Sequence, residues 1–212
     1  MRCGIRKTVN KMGAMMFYIF NSRGHFAEKM TVRPPVLPHG YFHIEAADDI
    51  GEYLFSDGLT VMSASEPAPS QYHVIDAGMW VLPADGAAAQ LADAKAEKIS
   101  NLNAAAQAFI NTTAEIDKIP EFEVQTWTIQ AAEAKAYAAD NTADTPVLDQ
   151  IAASRGIDAA KLKAAALRKT LAYEKLTAHV AGQRQALQAK IEAAKTVEAL
   201  EKIKIELTLP EA

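Results

Sequence analysis

Alanine is distributed very unevenly along the chain, and this constrains the fold more than any other feature. Of 42 alanines, 35 lie at or after Ala84, whereas seven of the ten glycines and six of the nine prolines precede it. Alanine has the highest intrinsic helix propensity, and glycine and proline have the lowest. The pattern predicts an α+β protein, with a small β-rich module over residues 16–83 and an alanine-rich helical part after it.

The overall composition disfavours several functional classes. The chain has 212 residues and a formal charge of −4, and it has no long basic tract, so we expect no nucleic-acid binding. Cys3 is the only cysteine, which excludes an internal disulfide and a thiolate zinc site. Because no uncharged apolar run approaches the length of a membrane span, we also expect no membrane insertion.

Residues 1–15 differ from the sequence that follows. They contain four basic residues and no acidic one, and the apolar stretch after them is short for a secretory signal peptide. We interpret residues 1–15 as a disordered tail or a non-native leader produced by an upstream start codon.

Six short runs of β-branched and aromatic residues in the first half predict six strands. The last two, joined by Asp76-Ala77-Gly78, have the pattern of a hairpin. A β module this small has exposed edges and little stability of its own, so a partner chain is expected. The hairpin adjoins the compositional break, and we predict Tyr72, Val74 and Trp80 as partner-binding residues. The predicted strands cover 17–20, 41–44, 52–55, 59–62, 71–75 and 79–82.

The second half is predicted to be helical. Residues 84–118 form a long connecting helix whose narrow apolar stripe suits either a coiled-coil stalk or a helix folded back on its own domain. Residues 119–212 form a helical domain with a short C-terminal extended arm. The arm is indicated by apolar residues that alternate with polar ones from Ile203 to Leu209.

Helix boundaries within this domain follow from local signals. A helix over 126–140 precedes Thr145-Pro146, a hydroxyl N-cap followed by proline at the first helical position, and Gly156 is a matching stop. Asp158 caps a helix to about Ala194, with Leu162, Leu167, Leu171, Leu176, Val180, Leu187 and Ile191 on its apolar face. Gly182 lies inside this helix, where close approach of another backbone would explain it. Thr196, another hydroxyl N-cap, starts a last short helix to about Lys202.

The sequence contains no motif of an established catalytic or cofactor site. It lacks the glycine-rich phosphate loops, the metalloprotease HExxH, the GxSxG nucleophile elbow and CxxC. His39 and His43 are separated by Gly40, which disfavours the helix that would bring them together as ligands. We therefore expect a protein that is not an enzyme, with no catalytic, cofactor-binding or metal-binding residues.

Two sets of motifs resemble bacteriophage tail proteins. The first set is similar to a segment of tail-fibre assembly proteins. It consists of a P-x-x-Y-x-V-x-D strand and a Trp-containing strand, which come just before a long alanine- and lysine-rich helix. The region from Gln125 to Ala194 is similar to a helical C-terminal domain of tail accessory proteins. The matching residues are Pro69, Tyr72, Val74, Asp76 and Trp80 in the first set. In the second they are Gln125-Thr126-Trp127, Gln130, Glu133-Ala134, Thr145-Pro146, Leu148, Ala153-Ser154-Arg155-Gly156, Gly182 and Arg184-Gln185-Ala186-Leu187.

The resemblance implies a tail-fibre assembly protein, which is a chaperone that binds the distal tail fibre. Its expected partners are the fibre or another tail protein, within a homo- or hetero-oligomer. Its expected location is the host cytoplasm during assembly or the virion tail. The alternatives are a permanent structural subunit of the tail, baseplate or fibre attachment, and a receptor-binding tip module.

Overall fold

The computed structural model describes residues 15–47 and 50–211, so the predicted leader lies outside the described residues except for Met15. The fold is α+β, with β-strands followed by a long helix and further helices. The chain forms two compact units, which divide between Asp93 and Ala94.

The first unit contains a three-stranded antiparallel sheet and two hairpins. In the sheet, β1 lies between β2 and β3, and the hairpins are β4–β5 and β6–β7. Four of the seven strands (β1, β3, β4 and β7) overlap predicted runs by three or more residues, β5 and β6 overlap their runs by two, and β2 was not predicted. The strands are β1 Met15–Asn21, β2 Phe26–Met30, β3 Tyr41–Ala47, β4 Tyr53–Ser56, β5 Val61–Ala64, β6 Val74–Asp76 and β7 Met79–Val81.

Alternate residues of β1 form the core of this unit. Met16, Tyr18 and Phe20 are buried, and they pack with Phe42 and Ile44 of β3 and with side chains from the β4–β5 hairpin. The β1–β3 register, in which Tyr18 opposes Ile44, places these residues on one face of the sheet. A period of two residues along β1 thus creates the apolar face that the neighbouring hairpin covers.

The helices follow the predicted order, with two additions. The long helix ends at Thr113 and is followed by a 3₁₀ turn over Ile116–Lys118, and a short helix after Pro120 was not predicted. The helices are α1 Ala84–Thr113, α2 Glu121–Gln125, α3 Trp127–Ala139, α4 Pro146–Arg155, α5 Ala159–Ala193 and α6 Val197–Glu201.

Three of the predicted helix-end signals have the expected geometry. The Asp158 carboxylate accepts the N–H of Lys161 at 2.8 Å, and the Thr196 hydroxyl accepts the N–H of Ala199 at 3.1 Å. Gly156 ends α4 in the left-handed region, with φ of 64°. These local interactions satisfy N–H and C=O groups that a helix end leaves without partners, which is why the boundaries are readable from sequence.

The second unit shows that the long helix folds back on its own domain. From Ala94 onward, α1 packs against α5: Leu102 packs in one apolar cluster with Ile191, and Ala106 and Ile110 pack in another with Leu176 and Val180. Residues later in α1 pack with residues earlier in α5, so the two helices are antiparallel. This packing favours the folded-back interpretation over the stalk.

The C-terminal arm lies along the α1–α5 pair. Residues 203–211 have no strand partner in the described part of the chain, yet Ile203, Ile205 and Leu207 pack against the two apolar clusters of that pair. The Gln183 amide also bonds Thr208, accepting its N–H at 2.9 Å and donating to its hydroxyl at 2.7 Å. Residues 203–211 therefore run beside the helix pair without belonging to a helix or a strand.

Two side-chain predictions for α5 are wrong. An added Cβ at Gly182 would meet no atom within 4 Å, so no backbone approaches it closely among the described residues. Leu171, predicted on the apolar face, is half exposed. A 35-residue helix crosses several neighbours along its length, so one continuous stripe cannot describe its buried side.

Candidate partner-binding surface

The β6–β7 hairpin contains two of the three residues predicted to bind a partner. Val74 pairs with Val81, and Asp76 pairs with Met79, which leaves Ala77 and Gly78 as a two-residue loop. Both loop residues have positive φ, 48° and 81°, as a type I′ hairpin turn requires. The loop therefore fixes the register that brings Trp80 opposite Ile75.

Trp80 packs inside the first unit as well as facing solvent. Its ring lies 5.6 Å from that of His25 and 5.8 Å, edge to face, from that of Phe55. Its indole N–H donates to the Glu66 carbonyl at 3.2 Å. The side chain is half-buried, so one part of the ring stabilises the unit and the other part is accessible.

Tyr72 lies just before the hairpin and contacts the start of α1. Its hydroxyl donates to Asp93 Oδ2 at 2.7 Å, and this bond raises the pKa of the Tyr72 phenol above its ordinary value. Its carbonyl accepts from Arg23, whose guanidinium also pairs with Asp85 at 2.9 Å. These contacts hold the segment before β6 against the first turns of α1.

Gly86 allows this close approach. A Cβ built on it would lie 2.4 Å from the Tyr72 carbonyl oxygen, which is far inside van der Waals contact. A glycine in the first turns of an alanine-rich helix, where its propensity is poor, is explained by this packing.

Tyr72, Val74 and Trp80 lie in one short segment of the first unit, and all three side chains are half-buried. The exposed apolar side chains of the same segment are those of Met79 and Leu82, neither of which is among the predicted partner-binding residues. A partner approaching this hairpin would meet Met79 and Leu82 together with the accessible parts of the predicted residues.

A second open feature of the first unit is the edge of its three-stranded sheet. In the part of the chain that the structure describes, β3 pairs only with β1, so one side of its seven residues is without a strand partner. An edge of this kind presents main-chain N–H and C=O groups to an added strand. The sequence predicted β3 but gave no signal that it would be an edge.

The polar residues near the hairpin make local bonds. Ser70 Oγ and His73 Nδ1 lie 2.8 Å apart, and His25 Nε2 donates to the His73 carbonyl at 2.6 Å. Ser70 also accepts the N–H of Tyr72, so these bonds close the turn that leads into β6. Among residues 15–47 and 50–211, no group of three His, Cys, Asp or Glu side chains could hold a metal ion.

The second unit contains a buried carboxylate at a helix end. Glu133 of α3 is buried, and its two oxygens accept the N–H groups of Val147 and Leu148 at 3.1 and 2.9 Å. These are the second and third residues of α4, so Glu133 supplies the cap that was predicted for Thr145. A negative charge at a helix N-terminus is also favoured by the helix dipole.

Thr145 instead connects the cap to α5. Its hydroxyl donates to Asp149 Oδ2 at 2.9 Å, and Asp149 pairs with Lys163 at 2.8 Å. Lys163 Nζ in turn lies 4.4 Å from the centre of the Tyr137 ring. The hydrogen bond from Lys163, followed by that from Thr145, lowers the pKa of Asp149 below its ordinary value. This network joins α3, α4 and α5.

Comparison with known proteins gives one short match. The family model described as the HI1402 helical domain matches residues 168–205, which comprise the later part of α5, α6 and the first residues of the arm. No curated protein and no solved structure matches the chain. Within the described residues, no helix is both long enough and apolar enough to cross a membrane.

Proposed function

We propose that this protein is a bacteriophage tail-fibre assembly protein that binds the distal part of a fibre through its first unit. The proposal rests on the motif resemblance carried by the segment from Pro67 to Trp80 and by the helical domain. In the structure Val74, Asp76 and Trp80 of the first motif lie on β6 and β7, and Pro69 and Tyr72 lie in the segment before β6. The long helix α1 follows directly, which is the order of elements that the resemblance implies.

The unpaired edge of β3 is the structural observation that best supports this role. A fibre that folds from long β-rich chains exposes strand edges before it is complete, and an edge strand can pair with them through main-chain bonds. The exposed Met79 and Leu82 on the hairpin add an apolar contact in the same unit. A chaperone of this type needs complementary surfaces and no catalytic residue.

The proposal is tested by coexpressing the protein with the tail fibre of the phage or prophage that encodes it. We expect a complex on size-exclusion chromatography and a higher yield of trimeric fibre than without the protein. A fibre that reaches the same yield alone, with no complex at any protein ratio, would contradict the proposal.

Mass spectrometry of purified virions and of the lysate distinguishes the chaperone from a permanent subunit. Peptides abundant in the lysate and absent from particles indicate a chaperone that leaves after assembly. A fixed ratio to the fibre in every particle indicates a structural or tip role. In the second case, binding of purified protein to host saccharides would favour the receptor-binding alternative.

A further inference from the structure

The edge strand β3 lacks the features that usually keep an open sheet edge from pairing. It is seven residues long, Tyr41–Ala47, its register with β1 continues without a bulge, and it contains no proline and no lysine. Natural edge strands are commonly short or bulged, or carry proline or lysine. At the opposite edge, β2 has five residues, a register shift where it pairs with β1, and Lys29. β3 is therefore the edge of this sheet that is suited to accept another strand.

The side chains of β3 divide between the two faces of the sheet. Phe42, Ile44 and Ala46 lie on the core face, yet all three are only half-buried. His43 and Glu45 lie on the other face, where Glu45 is exposed and makes no ion pair within residues 15–47 and 50–211. A strand added beyond β3 would cover the apolar side chains at the rim of the core.

A second copy of β3 is complementary to the first in one antiparallel register. A two-fold axis through Ile44 pairs all seven residues of both strands, and it places Ile44 opposite Ile44 and Phe42 opposite Ala46. The same register places His43 of each copy opposite Glu45 of the other, which gives two such pairs by symmetry. An imidazole can donate a hydrogen bond to a carboxylate, and opposite charges directly across two strands stabilise their pairing.

The neighbouring registers are less favourable. A shift of one residue would put the apolar side chains of the second copy on the opposite face from those of the first. A shift of two residues in one direction pairs Glu45 with Glu45, where like charges are directly opposite. The same shift in the other direction pairs His43 with His43. Both of these registers leave two residues of each strand without a partner, so the register centred on Ile44 is preferred.

We propose that this protein forms a symmetric homodimer in which the two β3 strands pair antiparallel about Ile44. The dimer joins two three-stranded sheets into one continuous sheet, and both copies use the same surface, as a two-fold contact requires. This inference does not depend on the fibre-binding proposal. If both hold, a fibre strand must replace the second copy, because β3 has one free edge.

The first test measures the mass of the purified full-length protein by analytical ultracentrifugation over a range of concentrations. We expect a concentration-dependent change from the mass of one chain, 22.9 kDa, to twice that mass. Glu45→Lys removes both pairs with His43 and puts a lysine on the edge, so it should raise the dissociation constant at least about tenfold. Adding His43→Glu to Glu45→Lys reverses the charges of each pair and should restore most of the dimer.

Glu28→Lys is the matched control for these variants. Glu28 is exposed on β2, on the same face of the sheet as His43, and its replacement should leave the dissociation constant unchanged. An unchanged melting temperature shows that each variant is folded. No fibre is present in this assay, so its failure would leave the fibre-binding proposal untouched.

The second test measures the register by cross-linking. In a Cys3→Ser background, Ile44→Cys places two thiols opposite each other across the two-fold axis. Opposite Cα atoms of antiparallel strands are about 4.5–5.5 Å apart, which suits a disulfide, so mild oxidation should give a covalent dimer on a non-reducing gel. Tyr41→Cys is the control, because its two copies would lie about 20 Å apart and should not cross-link.

A single-chain mass at every concentration would overturn the proposal. A dimer whose dissociation constant Glu45→Lys leaves unchanged, or one that Ile44→Cys does not cross-link, would also overturn it, because the two copies would then meet through another surface or register.

Discussion

Trp80 has two roles that one substitution series can separate. Replacing it with alanine removes the ring contacts with His25 and Phe55 and the hydrogen bond to Glu66. We expect the free energy of unfolding to fall by about 3 kcal/mol. This is the lower end of the range for a core Trp, because the ring is half-buried. Trp80→Phe keeps a ring and should cost about 1 kcal/mol for the lost hydrogen bond. Urea denaturation followed by circular dichroism measures both.

The outcome also bears on partner binding. If Trp80→Ala keeps the melting temperature of the parent protein but loses the fibre complex, the ring is mainly an interface residue. If both decrease, the ring positions the hairpin, and Trp80→Phe should restore most of the stability.

Two helical glycines have opposite predicted responses to alanine. Gly86→Ala forces the new Cβ against the Tyr72 carbonyl, so the protein should be destabilised by about 1–3 kcal/mol, as for overpacking. Gly182→Ala meets no atom and gains helix propensity, so it should stabilise by about 1 kcal/mol. Calorimetry of both variants tests the pair. Destabilisation by Gly182→Ala would show that another chain packs at that position.

At the scale of elements, sequence predicted what local chemistry determines. Gly156, Asp158 and Thr196 mark helix ends because their bonds are made within a few residues. The strand β2 was missed because Phe26–Met30 is almost entirely exposed and has no apolar alternation. The turn over 21–24 was a usable signal, since a strand that ends in a tight turn is commonly followed by its partner.

The Glu133 cap shows why the rest could not be predicted. Glu133 and Leu148 are 15 residues apart, and nothing in the chain near either one indicates that they meet. The same applies to the candidate surface. Tyr72 and Trp80 could be predicted as partner-binding residues because their motif is contiguous. The open edge of β3 depends on strand order, and the exposure of Met79 depends on packing.

The network around α4 predicts a pH dependence of stability. Asp149 has a folded-state pKa below the ordinary value of 3.8, because Lys163 and Thr145 bond its ionised form. Its contribution to stability is therefore complete above about pH 4 and is lost as the pH falls through the lowered pKa. Other carboxylates titrate in the same range, so the comparison must be with Asp149→Asn.

The measurement is the difference in unfolding free energy between the parent protein and Asp149→Asn as a function of pH. We expect the difference to be largest near neutral pH and to shrink towards zero below pH 3.8. Asp144→Asn, which removes one exposed carboxyl group from the loop before α4, is the matched control for the loss of a single acidic side chain in this region. A difference that is constant with pH would indicate that the Asp149 charge does not stabilise the fold.

At the scale of the whole molecule, the compositional break near Pro83 and the division into compact units do not fall at the same place. Asp85 and Asp93, in the first turns of α1, bond Arg23 and Tyr72 of the first unit. From Ala94 onward, α1 packs against α5. The long helix is thus part of both units. The composition indicates where the helical sequence begins, whereas side-chain packing determines to which compact unit each turn of α1 belongs.

The two units differ in their predicted contribution to fibre assembly. Met79 on β7 is 49% exposed and Phe122 on α2 is 72% exposed, so each can be replaced by glutamate with little cost to folding. If the first unit binds the fibre, Met79→Glu should lower the yield of trimeric fibre in the coexpression assay, because a charge is buried against an apolar partner surface. Phe122→Glu should leave the yield unchanged. The reverse result would assign fibre contact to the helical unit, and equal yields for both would show that neither side chain is at the interface.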